Sequence, residues 1–407
     1  MKRTIDLRSG RAVWSAYRAP RVPTGRLVRD VGCDVLVVGM GISGAMIAEA
    51  LASDGRDVVC LDRRGPMLGS TAATTALVQF EIDQPLSILS RKIGLTRAQR
   101  AWRRSRLAID NLQARIIERD IDCRLAPRPS LYLDGNVQAP TALREEGAAR
   151  RKAGLRADYL PPAELERRFG IAGRSALLEH GNLALDPRRL TAGLLNAAHE
   201  RGARFYAPAQ ASQIKSKGDR LQVTTLDGPT ITATAVVLAT GYELMDMVPA
   251  THHQIISTWA IATRPQKRAA WPQEAFIWEA ADPYLYMRVT HDGRIICGGE
   301  DEEFQDEAQR DALIPEKTAR IAEKLHRLFP GIDPTPEFRW AGAFGTTSTG
   351  LPLIGRLPRH PGVYAVMGYG GNGITFSQIA SELIATAIAG DSDHDADLFA
   401  IVDPPGA

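Results

Sequence analysis

The 407-residue sequence is poor in cysteine, has no long apolar run and carries almost no excess of charge. No stretch approaches the roughly 18 consecutive apolar residues that suggest a membrane-spanning helix. Fifty basic residues against 47 acidic ones leave a net charge of +3, so the composition gives no general support for a nucleic-acid partner. A disulfide framework or zinc site is also disfavoured, and a reducing compartment favoured, because no CxxC spacing occurs among the four cysteines, Cys33, Cys60, Cys123 and Cys297.

The composition is that of a globular protein with a sizeable core, at 44% hydrophobic and 24% charged residues. The chain length predicts two or three domains. Residues 1–30 are rich in Arg and Pro without periodicity, and we expect them to form a leader over a domain surface. Because this end lacks the apolar run of a secretory signal, we expect a cytoplasmic protein. The adjacent histidines His252 and His253 have no further partners in the pattern, so we predict no metal site.

One segment has the charge that nucleic acid would attract. A helix predicted over about 96–119 carries a run of arginines in which Trp102 is the one aromatic residue. Nucleic-acid binding would favour several aromatic residues interleaved with the basic ones. We therefore interpret the run as a solvated helix face. Its members are Arg97, Arg100, Arg103, Arg104 and Arg106.

The strongest local pattern is a strand, a glycine-rich turn, a helix and a second strand. Residues 33–38 are apolar and β-branched, and G-x-G-x-x-G follows them at once. A second apolar strand over 57–61 ends at Asp62. In such a unit the turn glycines let the backbone approach a pyrophosphate, and the helix start presents free N–H groups to it. Asp62 is placed to accept both hydroxyls of an adenosine ribose, so the pattern predicts a bound dinucleotide.

Further patterns follow in order along the chain. A loop of small residues spans 69–77, and a buried strand over 235–238 ends in Ala239-Thr240-Gly241. Short aromatic and β-branched strands between 254 and 298 predict an antiparallel sheet. A second glycine-rich turn, 368–373, leads from a strand into an apolar helix.

The ordered set resembles the D-amino-acid oxidase, glycine oxidase and sarcosine oxidase superfamily of FAD-dependent amine oxidoreductases. The segments that carry the resemblance include VVGMGISGAMIAEALASDG, GSTAATTALVQFEID, TGLPLIGRLP and GVYAVMGYGGNGITFSQIASELIA. The resemblance implies an α/β fold with an FAD-binding, Rossmann-like domain of the glutathione-reductase type and an antiparallel-sheet substrate domain built from interleaved segments. We assign 31–105, 180–250 and 335–395 to the first domain, and 106–179 and 251–334 to the second.

The resemblance also implies an activity and a set of FAD contacts. It implies oxidation of a C–N bond in an amine or amino acid, with hydride passing to flavin N5, hydrolysis of the imine product, and reoxidation by O2 or an electron carrier. The implied cofactor-binding residues are Gly39, Gly41, Ile42, Ser43, Gly44, Asp62, Arg63, Arg64, Gly69, Ser70, Thr71, Thr74, Thr75, Ala76, Leu77, Thr240, Gly241, Gly350, Gly370, Gly371, Asn372, Gly373 and Ile374.

The sequence departs from the family in three places. Some relatives hold FAD through a cysteine just before their equivalent of GLPLIG, and the matching stretch here, WAGAFGTTST, has none. We therefore predict FAD that is bound non-covalently. Thr349 stands where relatives usually have an acid, which leaves the role of that acid open. Ala72 and Ala73 stand where relatives commonly have a basic residue or histidine.

The candidate substrate-site residues lie on one predicted strand. Tyr284, Tyr286 and Arg288 alternate along YLYMR and therefore share a face of the strand. The resemblance suggests that Arg288 clamps a substrate carboxylate. The alternative is that Arg288 pairs with a local acid such as Asp282 or Glu300. Other aromatic residues could wall the pocket or be plain core: Trp259, Trp340 and Phe344.

Two other functions stay open. The same fold supports FAD enzymes that oxidise a hydroxy acid or another non-amine substrate. A flavoprotein subunit that binds FAD without catalysis is the second alternative. The sequence fixes neither the substrate and its stereochemistry nor the oligomeric state.

Overall fold

The computed structural model describes residues 6–226, 228–249 and 253–402, arranged as two sheets with helices packed against them. The strands are β1 (Arg8–Arg11), β2 (Val31–Val38), β3 (Val58–Leu61), β4 (Leu77–Val78), β5 (Ala126–Leu133), β6 (Asp158–Leu160), β7 (Ala176–Ala184), β8 (Arg204–Tyr206), β9 (Ala211–Lys217), β10 (Arg220–Thr225), β11 (Thr230–Leu238), β12 (Gln254–Thr263), β13 (Phe276–Glu279), β14 (Leu285–Val289), β15 (Ile295–Glu302), β16 (Pro336–Thr346), β17 (Leu353–Arg356) and β18 (Val363–Met367). The α-helices are α1 (Ile42–Ser53), α2 (Leu86–Ile93), α3 (Leu95–Glu118), α4 (Pro140–Lys152), α5 (Pro162–Phe169), α6 (Pro187–Glu200), α7 (Glu307–Ala312), α8 (Ile314–Leu328) and α9 (Gly373–Ala389).

The smaller sheet has a parallel centre. Its order is β17-β18-β11-β2-β3-β8, with the β9–β10 hairpin joined to β11. Strands β18, β11, β2, β3 and β8 run parallel, and the residues of β2 and β3 that face the core are buried. Helix α1 packs against α6 and α9. The carboxyl ends of β2, β3 and β11 therefore meet at one edge, as in other open α/β sheets that bind ligands there.

The larger sheet is mostly antiparallel. Its order is β1-β16-β12-β15-β14-β13-β5-β7-β4, and β6 pairs with β7. Only the pairing of β13 with β5 is parallel among those described. Helix α8 packs on one face, against β12, β15 and β16. The opposite face turns towards the edge of the smaller sheet where β2 and β3 end.

Several segments lie elsewhere than the sequence suggested, among them β4 and the end of β7, which belong to the larger sheet although we had assigned them to the coenzyme domain. Arg8–Arg11 is not a surface leader: it pairs with β16 as the edge strand of the larger sheet. Trp14, just beyond it, is buried in the core. Strand β16, which we had assigned with 335–395 to the coenzyme domain, pairs with β12 in the larger sheet. Pairing partners so distant in sequence leave no local pattern, which is why composition did not indicate them.

The arginine run on α3 is only partly a solvated face: Arg97 and Arg103 are exposed, but the other three arginines are partly or fully buried. Arg97 and Arg100 form ion pairs with Asp395 and Asp397 near the carboxyl end of the described chain. Arg104 is buried and bonds to Asp393. These arginines hold the segment that follows α9 against the domain.

Further observations bear on the membrane, metal and disulfide expectations. No helix within 6–226, 228–249 and 253–402 is long and apolar enough to cross a membrane. The same residues hold no group of three or more His, Cys, Asp or Glu that suits a metal ion. His252 of the histidine pair lies outside the described residues. All four cysteines are buried free thiols.

Candidate functional site

One cavity of about 530 Å³ lies between the two sheets and reaches both glycine-rich turns. Its volume is in the range of typical cofactor and ligand sites. Gly44, Ala76 and Gly350 are not part of its wall, whereas the other residues predicted to hold the coenzyme all are. These are Gly39, Gly41, Ile42, Ser43, Asp62, Arg63, Arg64, Gly69, Ser70, Thr71, Thr74, Thr75, Leu77, Thr240, Gly241, Gly370, Gly371, Asn372, Gly373 and Ile374.

The first glycine-rich turn is built for close backbone packing. Gly39 has φ +114°, and a Cβ there would lie 2.3 Å from the carbonyl oxygen of Ala239. A Cβ on Gly44 would lie 1.9 Å from the carbonyl oxygen of Gly39. Only glycine fits either position, so α1 begins directly beneath the end of β2. Its first N–H, that of Ile42, donates to Thr71 Oγ1 at 3.0 Å.

Asp62 organises the turn at the end of β3. Its carboxylate accepts the N–H groups of Met40, Arg64 and Gly65, each at 2.8 Å. A carboxylate offers about four lone-pair positions. Backbone N–H groups occupy three of these positions. One position is therefore left, so Asp62 can accept one ribose hydroxyl and not both as we had expected. Beside it, Arg63 and Arg64 pair with Glu243.

The second glycine-rich turn joins the far end of the cavity. Gly371 donates its N–H to Asp83 Oδ2 at 2.7 Å, just before α9 begins. Asn372 Nδ2 donates to the carbonyl oxygens of Gln79 and Glu81. Two buried polar atoms of wall residues, Ser70 Oγ and Gln79 Nε2, have no partner among the described residues. These atoms and the space above Gly39 fit a large polar cofactor such as FAD.

Three buried donors fix the small-residue loop that lines the cavity. Trp340 Nε1 donates to the carbonyl oxygen of Ala73 at 2.8 Å, and Trp14 Nε1 to that of Thr74 at 2.6 Å. Arg288 Nη1 donates to the carbonyl oxygen of Ala76 at 2.5 Å. Sequence reasoning missed the roles of Trp14 and Arg288 because the donors and the loop are far apart along the chain.

Arg288 is therefore not placed as a carboxylate clamp. It is only 3% exposed, and it is absent from the described cavity wall. Its guanidinium bonds to the carbonyl oxygens of Ala76 and Leu185, and neither Asp282 nor Glu300 pairs with it. Burial lowers the pKa of Arg288 to about 10, with the nearby Arg128 acting in the same direction. Arg288 follows the alternation of side chains that starts at Tyr284, but the cavity ends before it reaches Arg288.

Tyr284 and Tyr286 do line the cavity. Their ring centroids are 5.6 Å apart, and the Tyr284 hydroxyl donates to Asp301 Oδ2 at 2.5 Å. Burial raises the pKa of Asp301 to about 6, and the Asp83 carboxylate contributes to the rise. Burial and Asp301 together raise the pKa of Tyr284 well above its usual value. Asp301 and Asp83 were not predicted from the sequence, since each is a single acid without a motif.

Aromatic side chains close the cavity around these groups. Trp259, Trp340 and Phe344 lie on the wall, as the pocket interpretation proposed. The sequence did not indicate three others there: Tyr242, Trp278 and Tyr369. The Tyr242 and Tyr369 rings meet edge to face, with centroids 6.1 Å apart. The wall combines apolar ring surface with few charged groups, which excludes water from a reacting centre.

Comparison with known proteins agrees with this geometry. The model of the DAO family, FAD-dependent oxidoreductases, matches residues 34–387. Gamma-glutamylputrescine oxidoreductase of Escherichia coli is 27% identical over 383 residues, which cover 91% of this chain and 87% of that protein. Glycine oxidase of Geobacillus kaustophilus aligns with a TM-score of 0.75 at 21% identity, covering 92% of this chain and 100% of that one. L-proline dehydrogenase of P. horikoshii aligns with a TM-score of 0.74 at 18% identity, covering 92% and 97%.

The two aligned structures show that the chain has their fold, with the coenzyme turn and the antiparallel sheet on either side of one cavity. The family match covers most of the chain, from β2 to the last turns of α9. The cavity beside Gly39 has room for the FAD cofactor that this family requires. The chain therefore belongs to the DAO family of FAD-dependent oxidoreductases.

Proposed function

We propose that the protein oxidises a C–N bond of an amine or amino acid and holds FAD non-covalently. One observation carries the proposal: a single cavity joins the dinucleotide turn at Gly39 to an aromatic and acidic pocket at Tyr284. The names of the similar proteins, an oxidoreductase of gamma-glutamylputrescine, a glycine oxidase and a proline dehydrogenase, support an amine or amino-acid substrate.

The roles of the residues follow from their positions. When bound, FAD supplies a hydride acceptor. The start of α1 above Gly41 holds the pyrophosphate, and the turn before α9 holds the flavin end with backbone N–H groups and a positive helix terminus. The aromatic walls keep water away from the reacting carbon. Because the Tyr284 hydroxyl donates to Asp301, its oxygen is left to accept an N–H of the substrate amine.

Two further parts of the proposal have their own support. No cysteine lies on the described part of the cavity wall, which supports FAD that dissociates. Four free, buried thiols support a cytoplasmic location. The electron acceptor is proposed to be O2 or an electron carrier.

The test is a substrate panel followed through the flavin absorbance under anaerobic conditions. The purified protein is expected to be yellow, to release FAD on acid denaturation, and to bleach with an amine or amino acid. Bleaching by hydroxy acids alone would contradict the proposal and favour non-amine oxidation. A yellow protein that no donor bleaches would also contradict it and favour a non-catalytic flavoprotein subunit.

A further inference from the structure

We propose that this cavity selects a cationic amine without a carboxylate on the reacting carbon, and that Asp83 supplies the counter-charge. The inference rests on the proposed C–N oxidation and names its substrate class. It follows from the charges on the wall, which are distributed unevenly between the two ends of the cavity.

Asp83 is a carboxylate on the cavity wall that forms no ion pair with the described lysines and arginines. Its recorded hydrogen bond is with the N–H of Gly371. Asp83 is exposed to the open cavity. A ligand that covers it gains by bringing a cation, because a charge taken out of water is costly until it is paired.

A second acid, Asp301, lies behind the wall residue Tyr284, whose hydroxyl donates to it. Burial is the main cause of the raised pKa values of Asp301 and Tyr284, and the Asp83 carboxylate contributes to both. Within the described wall, the arginines are Arg63 and Arg64 at the opposite, adenosine end, where both pair with Glu243. The wall described there includes no lysine.

Asn372 gives an independent indication that this end holds an N–H donor. The residue is 5% exposed and lies on the wall next to Gly371. Its Nδ2 donates to two carbonyl oxygens, which fixes the direction of the side chain. Its Oδ1 is buried and has no partner in the described structure. The unused acceptor requires an N–H donor from a bound molecule, and the Asp83 carboxylate suits an ammonium group.

The aromatic wall adds to the same preference. Trp278, Tyr284 and Tyr286 present ring surface beside the acids, and ring faces attract cations by about 0.5–2 kcal/mol. A substrate carboxylate would meet the Asp83 carboxylate and neither lysine nor arginine on the described wall there, so its desolvation would remain uncompensated. This is the physical reason to expect amines in preference to α-amino acids.

The first experiment measures binding to the oxidised holoenzyme with probes that cannot react. Butyltrimethylammonium and pentanoate are titrated separately against the flavin absorbance. We expect the cation to bind at least about tenfold more tightly than the anion, which corresponds to about 1.4 kcal/mol. Tighter binding of pentanoate would overturn the inference, and this comparison requires no variant.

The second experiment compares Asp83→Asn with Asp219→Asn, an exposed control in the turn between β9 and β10. Asp83→Asn is expected to weaken binding of the quaternary ammonium about tenfold or more and to leave pentanoate binding unchanged or stronger. Asp219→Asn is expected to change neither. Unchanged cation affinity in a folded Asp83→Asn holoenzyme would overturn the role of Asp83.

The third experiment uses reacting pairs that differ by one carboxylate: butylamine with norvaline, isobutylamine with valine, and pentane-1,5-diamine with lysine. Faster anaerobic bleaching by the amine of each pair supports the inference. Faster bleaching by the amino acids would overturn it and leave C–N oxidation standing. Bleaching by neither would overturn the proposed function itself.

Discussion

The Arg288 guanidinium binds the carbonyl oxygen of Ala76, 212 residues away along the chain, at a donor–acceptor distance of 2.5 Å. A second bond reaches the carbonyl oxygen of Leu185 at 3.1 Å. The charge is balanced by carbonyl dipoles and by the rings of Trp14 and Phe276, at 5.7 and 5.9 Å from the guanidinium carbon. Arg288 therefore ties strand β14 to the loop that lines the cavity, and it acts as a positioning residue.

Arg288→Leu is expected to lower the free energy of unfolding by about 2–4 kcal/mol, because two buried carbonyl oxygens lose their donor. FAD affinity should fall as well, since the loop that ends at Ala76 is no longer fixed. The measurements are urea denaturation of the apoprotein and titration with FAD. Arg29→Leu, at an exposed site, is the matched control. A variant of normal stability with a raised KM for carboxylate substrates alone would contradict this role.

Gly44→Ala is expected to abolish FAD binding. The added methyl group would lie 1.9 Å from the carbonyl oxygen of Gly39, so either α1 or the turn must move away from the site of the pyrophosphate. Gly331→Ala is the matched control, because nothing lies within 4 Å of its added Cβ. Flavin absorbance after gel filtration measures the result. Retention of FAD by both variants would show that the turn tolerates displacement.

These residues also show which parts of the fold and the site could be predicted from the sequence. The turn at Gly39 and Gly44 was predictable because the whole βαβ unit is encoded within about thirty residues. The pairing of β1 with β16 and the meeting of Asp83 with Gly371 were not, since each joins positions that are hundreds of residues apart. The face shared by Tyr284 and Arg288 was predictable from period-two alternation. Where the cavity ends along that face depends on the loop packed against it.

Tyr284→Phe is expected to lower kcat/KM for amines about tenfold, because the substrate loses one hydrogen-bond acceptor and Asp301 loses its donor. FAD affinity should stay within a factor of two, since the hydroxyl bonds to Asp301 and not to the coenzyme turns. Stopped-flow bleaching measures the rate, and titration with FAD measures the affinity. Tyr206→Phe, on strand β8 of the other sheet, is the control. An equal loss in both variants would remove Tyr284 from the substrate site.

Asp301→Asn is expected to stabilise the apoprotein at pH 8. The pKa of Asp301 rises from its usual 3.8 to about 6 on folding, mainly through burial and also through Asp83, while its bond from Tyr284 and the charge of Lys317 oppose the rise. Between those two values the folded state binds more protons than the unfolded state, so this group reduces stability as the pH rises from about 4 to about 6. Above that range the full penalty of about 1–3 kcal/mol persists.

The asparagine keeps an oxygen for the Tyr284 hydroxyl and removes the buried charge. Urea denaturation at pH 5 and pH 8 should therefore show a larger gain in unfolding free energy at pH 8 than at pH 5. Asp219→Asn, at an exposed turn, should show no such difference. A loss of stability at pH 8 would mean that the attraction between Asp301 and Lys317 outweighs the cost of burying the carboxylate. The same loss would weaken the proposal that the substrate pocket binds a cation.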